Sequence, residues 1–191
     1  MMDEPLFPLF LKLRARAVLV VGGGPVAAGK TGHLVAAGAQ VTVVAPDVCD
    51  AIDGMPVTVI RRAFAETDLD GVWLVGAAAP PEVNRAVTAA ATTRQIFVNA
   101  VDDPEHATAY AASVITRGPL VVAISSSGHA PALSALLREA IESMLPGDVE
   151  EWVAETVRQR AVWRNDGVPM EHRRGRLLDR LNELYRERQA S

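Results

Sequence analysis

The sequence predicts an α/β fold: a doubly wound parallel sheet, then a β-hairpin, then a C-terminal helical segment. Three observations carry this. Apolar runs of strand length alternate with helix-like stretches as far as Asn99. A triple glycine, Gly22-Gly23-Gly24, separates the first run from the first helix. Beyond Asn99 the alternation gives way to two strand-like runs and a series of charged helices.

Ala17–Val21 is a continuous Val/Leu strand, the pattern of a strand buried on both faces. Pro25–Ala37 reads as a helix with Gly38 as its C-cap. Val41–Ala45, Val57–Ile60 and Val72–Ala77 read as further strands, Pro81–Thr93 as a helix, and Ile96–Ala100 as a fifth strand. Strands separated by helices indicate a parallel sheet covered on both sides. Thr108–Ile115 and Leu120–Ser125 then form a hairpin about the turn Thr116-Arg117-Gly118-Pro119. Helices follow at Pro131–Leu145, Asp148–Val162 and Pro169–Arg188.

The 191 residues allow one full domain and a small appendage, at about 100–200 residues per domain. The division expected is a nucleotide-binding domain over 1–106, a hairpin–helix region over 107–145 and a helical segment over 146–191. That last segment holds nine Arg and nine Asp or Glu, so it is a charge-laced helical tail rather than core. The hairpin and tail are too small to bury much apolar surface alone, which predicts packing on a second copy of the chain.

Composition excludes several classes. No run of about 18 apolar residues is free of charge, Gly and Pro, so no membrane span is expected. Asp3 and Glu4 stand where a signal peptide needs positive charge, and the expected location is the cytoplasm. Cys49 is the only cysteine, which excludes disulfide frameworks and cysteine-based metal clusters. The four histidines have no metal-ligand spacing, and no resident metal is expected. A net charge of −4 argues against a nucleic-acid partner.

Gly22-Gly23-Gly24-Pro25-Val26-Ala27 matches G-x-G-x-x-A between a strand and a helix, the setting of a dinucleotide-binding loop. Gly22 permits the tight turn and Gly24 lets backbone approach a pyrophosphate. Ala27 keeps the helix close to the sheet, and Pro25 suits the first helical position. The amides of that first turn favour phosphate. The alternative is a glycine turn that merely packs well.

The same segment spells a P-loop, Gly24-x-x-x-x-Gly29-Lys30-Thr31. Pro25 starts the helix too early for that loop, placing Lys30 more than one turn inside it. A magnesium-binding acid is also missing where Val72–Ala77 runs into Ala78-Ala79-Pro80-Pro81. The second strand ends at Pro46-Asp47, which supplies an acid for a ribose hydroxyl, with Pro46 as a wall. No Arg follows directly, so NAD is favoured over NADP; otherwise Asp47 is a solvated loop acid.

The densest polar cluster, Asn99 to His106, lies past the end of the fifth strand, where ligands bind in open α/β sheets. Asp102 there is the candidate general acid or base; Asp103, beside Pro104, is the candidate turn-former, and an Asx turn explains the cluster without chemistry. Ser125-Ser126-Ser127-Gly128 precedes a helix and serves either as an anion-binding loop or as an N-cap.

Four segments in order resemble one family: Pro8–Leu13, Val20–Ala27, Asn99-x-Val101-Asp102-Asp103-Pro104, and Pro119–Ser125 with Gly128 and Pro131. Together they look like precorrin-2 dehydrogenase, the N-terminal module of siroheme synthase, over roughly residues 5–145. The resemblance implies a Rossmann domain, a swapped hairpin, a homodimer, and NAD-dependent oxidation of precorrin-2 to sirohydrochlorin. Some members also insert ferrous iron, a substrate, to give siroheme. The family's catalytic aspartate carries over onto Asp102. Its nucleotide contacts carry over onto Gly22, Gly23, Gly24, Pro25, Val26, Pro46 and Asp47. Its S-x-G loop, near the tetrapyrrole, carries over onto Ser126 and Gly128. A different class of reading, a non-catalytic module that senses the dinucleotide, would need no acid at the mouth of the cleft.

Overall fold

The computed structural model describes residues 5–101, 103 and 106–189. It separates into two compact units, a first up to Ala111 that also takes in Ser125–Pro131, and a second of Ala112–Ile124 with the chain from Ala132 onward.

In the first unit five parallel strands stand in the order β3-β2-β1-β4-β5: β1 (Ala17–Val21), β2 (Gln40–Ala45), β3 (Thr58–Arg61), β4 (Leu74–Ala77) and β5 (Phe97–Ala100). The helices α1 (Pro25–Ala36) and α3 (Pro81–Thr93) connect them, with a single turn α2 (Asp50–Asp53) and a 3-10 turn at Glu66–Leu69. Alternate residues of each strand serve different faces. Val20, Val41 and Val43 pack with Ala27, Ala28 and Ile52, whereas Leu19, Val21, Val44, Val75 and Val98 pack with Val87 and Ala91. Burial on both faces is why the central strand β1 is an uninterrupted apolar run.

The two single turns lie outside the expectation, since four residues show no helical period. A second difference concerns the hairpin. Its first strand was expected from Thr108 but β6 spans Ser113–Arg117. The amides of Thr108 and Ala109 both donate to the Val98 carbonyl at 2.9 Å, and Val98 N–H donates to Thr108 Oγ1 at 2.8 Å. Those residues are therefore spent on β5.

In the second unit β6 pairs antiparallel with β7 (Leu120–Ile124), from Ser113 opposite Ile124 to Arg117 opposite Leu120. The turn is two residues, Gly118-Pro119, rather than four, and Gly118 takes φ +52°, a left-handed value that favours glycine. Helices α4 (Pro131–Met144), α5 (Val149–Asn165) and α6 (Met170–Gln189) follow. Buried Glu155 of α5 accepts from Arg158 at 2.6 Å, Gln159 at 2.8 Å and Arg180 of α6 at 3.1 Å. No helix among the described residues is long and apolar enough to cross a membrane.

Candidate functional site

The C-terminal ends of β1, β2 and β4 meet in register, with Val21 beside Val44 on one side and Ala77 on the other. The chain leaves β1 toward β2 and later returns on β1's other side to form β4. Open α/β sheets bind ligands at such a switch point. A cleft of about 510 Å³ opens there, lined by Gly22, Gly23, Gly24, Pro46 and Asp47, with Ala63, Phe64, Ala78, Ala79, Pro80 and Val83 on its walls.

The three glycines have three different roles. Gly22 takes φ +128°, and a Cβ on it would lie 2.1 Å from the Ala78 carbonyl oxygen. Gly23 lies against the chain leaving β2, and its carbonyl accepts from Cys49 N–H at 2.8 Å. Gly24, the α1 N-cap, has nothing within 4 Å of where a Cβ would stand. That space adjoins the start of α1, where Ala28 N–H makes the first intrahelical bond, to the Gly24 carbonyl at 3.0 Å. The amides of Val26 and Ala27 precede it. An open cradle at a helix N-terminus, with Ala27 fully buried against the sheet, fits the pyrophosphate of a dinucleotide. Pro25 and Val26 form the helix's first turn rather than the cleft wall.

Asp47 lines the cleft, and its Oδ1 accepts from Val48 N–H at 2.9 Å. The arginines at the end of β3 are both tied to acids. Arg61 pairs with Asp53 at 2.5 Å, and Arg62 grips both oxygens of Asp68 at 2.8 and 2.5 Å. Asp68 also accepts from Ala65 N–H at 2.9 Å. The Arg62 hydrogen bond holds the Asp68 carboxyl below its usual range, and this hook frames the Ala63-Phe64 wall.

Two contributors were not foreseen. Phe64 is a lone aromatic in a loop just past a strand end on the cleft side of the sheet. Asn84, almost fully buried, accepts from Ala79 N–H at 2.9 Å and so fixes the Ala78–Pro81 loop. Its only sequence signal is an amide side chain in the first turns after Pro81.

The Walker-type residues do not converge on the loop. Lys30 donates to Asn99 Oδ1 of β5, and Thr31 is completely buried. Asp102, Pro104 and Glu105 lie outside the described residues. Asp103 Oδ1 is 2.7 Å from His106 Nδ1. Ser126 and Gly128 lie in the loop before α4, outside the cleft lining. Ser126 Oγ accepts from Ala130 N–H at 3.1 Å, a local capping bond, and Ser127 and Gly128 both take left-handed φ values.

Comparison with known proteins agrees with this geometry. A family model described as putative NAD(P)-binding matches residues 9–113, and one described as sirohaem biosynthesis protein central matches residues 117–144. Siroheme synthase of Thioalkalivibrio sulfidiphilus is 45% identical over 150 residues, covering 73% of this chain and 30% of the relative. That of Citrobacter koseri is 42% identical over 145 residues, covering 73% and 32%. The chain thus spans about a third of the length of these relatives. The solved structure of SirC, a precorrin-2 dehydrogenase, superposes with a TM-score of 0.71 at 26% identity, covering 91% of this chain and 88% of that one. The chain belongs to the putative NAD(P)-binding family, and it is similar to siroheme synthases and to a precorrin-2 dehydrogenase.

Proposed function

We propose that the protein oxidises precorrin-2 to sirohydrochlorin in the cytoplasm, with NAD as hydride acceptor. The observation that carries this is the dinucleotide cleft at the β1/β4 switch point in a chain that resembles a precorrin-2 dehydrogenase along nearly its whole length. NAD supplies the hydride-accepting ring. The chain's own part is to hold the dinucleotide on the Gly22–Gly24 loop and the first turn of α1, and to take the proton released as hydride departs. Asp102, just past β5, is assigned that proton. Asp47 supports NAD over NADP, and Arg61 and Arg62, engaged by Asp53 and Asp68, offer no ready cation to a 2′-phosphate. Ser126 and Gly128 are assigned to the tetrapyrrole.

The same reading includes a homodimer. Val114 and Val121 share one exposed face of the hairpin, and Leu133, Leu136, Leu137 and Met144 form an exposed apolar stripe at helical spacing on α4. Such surface is suited to burial between two copies of the chain.

The test is an absorbance assay with precorrin-2 and NAD, followed by ferrous iron. Stoichiometric NADH with sirohydrochlorin supports the dehydrogenase, and a further spectral change on adding iron reports metal insertion. Calorimetry with NAD, NADP and Mg-ATP separates the alternatives. NAD binding without turnover would favour a sensing module, and magnesium-dependent ATP binding tighter than NAD would overturn the dinucleotide reading.

A further inference from the structure

Lys30 sits six residues into α1, on a helix whose first turn faces the glycine loop, yet its ammonium reaches across the sheet. Its stem passes over β4 at Gly76, where a Cβ would lie 3.6 Å from Lys30 Cδ. Gly76 is the register partner of Asn99 on β5, and Lys30 Nζ donates to Asn99 Oδ1. The stem therefore lies in ordinary van der Waals range of the β4 backbone at this point.

An ammonium only donates, so its presence fixes which way the Asn99 amide points. With Oδ1 toward Lys30, the Asn99 Nδ2 group is left to donate to the Ala109 carbonyl, which it does at 2.9 Å. Asn99 thereby joins three segments: α1, β5 and the chain returning at Thr108-Ala109. That return is pinned further by the two amides on the Val98 carbonyl and the Thr108 hydroxyl on Val98 N–H. The departing side is tied down as well, since Val101 N–H donates to the Ala77 carbonyl at 2.9 Å. The chain leaving β5 at Val101 and the chain returning at Thr108-Ala109 are thus both hydrogen-bonded to the sheet, a neck on either side of the acidic cluster in the sequence.

We infer that Lys30 is a positioning residue. Through the orientation it imposes on Asn99, it locks the neck of the loop that carries the acidic cluster to the helix that holds the dinucleotide. This rests on the dehydrogenase reading above and deepens it: the residue that completes a P-loop string in the sequence acts on the proton-transfer side of the site, not on phosphate. Small misplacement of a catalytic group is costly, so a loosened neck should reduce turnover more than it reduces binding.

The test uses the full chain with Lys30→Met, which keeps the stem and removes the donor, alongside Lys30→Arg and Asn99→Ala. Thermal melting first establishes that each variant folds; if Lys30→Met does not, Asn99→Ala is read by the same measurements. For Lys30→Met, kcat should fall about 10–100-fold while the NAD dissociation constant changes by less than about threefold. Amide hydrogen exchange at Thr108 and Ala109 should accelerate by about tenfold, because the neck opens locally. Lys30→Arg should recover part of both losses. Combining Lys30→Met with Asn99→Ala should cost little more than either alone, as expected of residues acting in one network. Unchanged exchange at Thr108 and Ala109 would overturn the inference. So would a loss of NAD affinity larger than the loss of kcat, which would put Lys30 on the dinucleotide. The exchange measurement needs no substrate, so a wild-type chain that fails to oxidise precorrin-2 refutes the dehydrogenase and still leaves the neck decided by exchange.

Discussion

A side chain at Gly23 would begin 1.8 Å from the Asp47 carbonyl oxygen. The glycine loop and the chain leaving β2 are therefore in backbone contact, and the two ends of the cleft proposed for pyrophosphate and ribose are set by one packing arrangement. Gly24 stands at the opposite extreme, with open space where its side chain would be.

Gly23→Ala and Gly24→Ala should accordingly fail in different ways. Gly23→Ala must displace the backbone at Asp47-Val48 and should lower the melting temperature clearly. Gly24→Ala should cost only about 1 kcal/mol of stability, the usual penalty of alanine at an N-cap. Its methyl group occupies the cradle, so NAD affinity should fall by at least about tenfold, or 1.4 kcal/mol. Calorimetry and melting on both variants check this; equal NAD affinity in Gly24→Ala and wild type would move the pyrophosphate elsewhere.

For proton transfer, Asp102→Asn preserves shape but removes the basic oxygen. Turnover should drop by about 10²–10⁴-fold, the usual worth of a general base, with NAD affinity unchanged. Asp103→Asn should cost far less, since that carboxylate is turned to His106. Steady-state kinetics on the pair is the measurement, and equal small losses would assign the chemistry to neither acid.

Acid should weaken the α5–α6 pairing as pH falls from about 4.5 toward 2. The Gln159 amide and the Arg158 and Arg180 guanidiniums hold the Glu155 carboxyl down at about 2, against an ordinary value of 4.5. A folded-state value below the unfolded one gives stability that is complete above about pH 4.5 and is lost as pH falls toward 2. Fluorescence of Trp152 and Trp163 in a Trp73→Phe background follows this. Glu155→Gln should lower stability at neutral pH and flatten the profile in that window.

Assembly is tested on the exposed stripe of α4. Leu136→Asp places a charge in the middle of it and should convert a dimer to a monomer by light scattering, while the far-UV spectrum stays unchanged. A wild-type monomer at micromolar concentration would remove the dimer from the proposal.

What the sequence could show followed from how local each signal is. Burial of β1 on both faces writes itself as Ala17–Val21 without a polar residue, and the strand–glycine–helix order of residues 17–36 needs no tertiary knowledge. The Lys30–Asn99 link depends instead on β4 lying between α1 and β5, and strand order is not written in any one segment. Phe64 borders the cleft, and Asn84 of α3 holds the Ala79 wall of it, only because the loops after β3 and β4 converge there. Thr108 looked like the start of a strand because a β-branched residue suits one. Its hydroxyl and amide turned out to serve Val98, a use that residue type alone does not reveal.

The strand order β3-β2-β1-β4-β5 has a consequence for synthesis. The central strand, Ala17–Val21, is the first to leave the ribosome. Each later strand then joins an edge that already exists: β2 on one flank and β3 outside it, β4 on the other flank and β5 outside that. No strand has to be threaded between two that are already paired. A parallel sheet is ordinarily slow to form because its partners are distant in sequence. Here the nascent chain can extend its sheet outward from the middle in the order in which it is translated, completing one flank with β2 and β3 before β4 and β5 build the other.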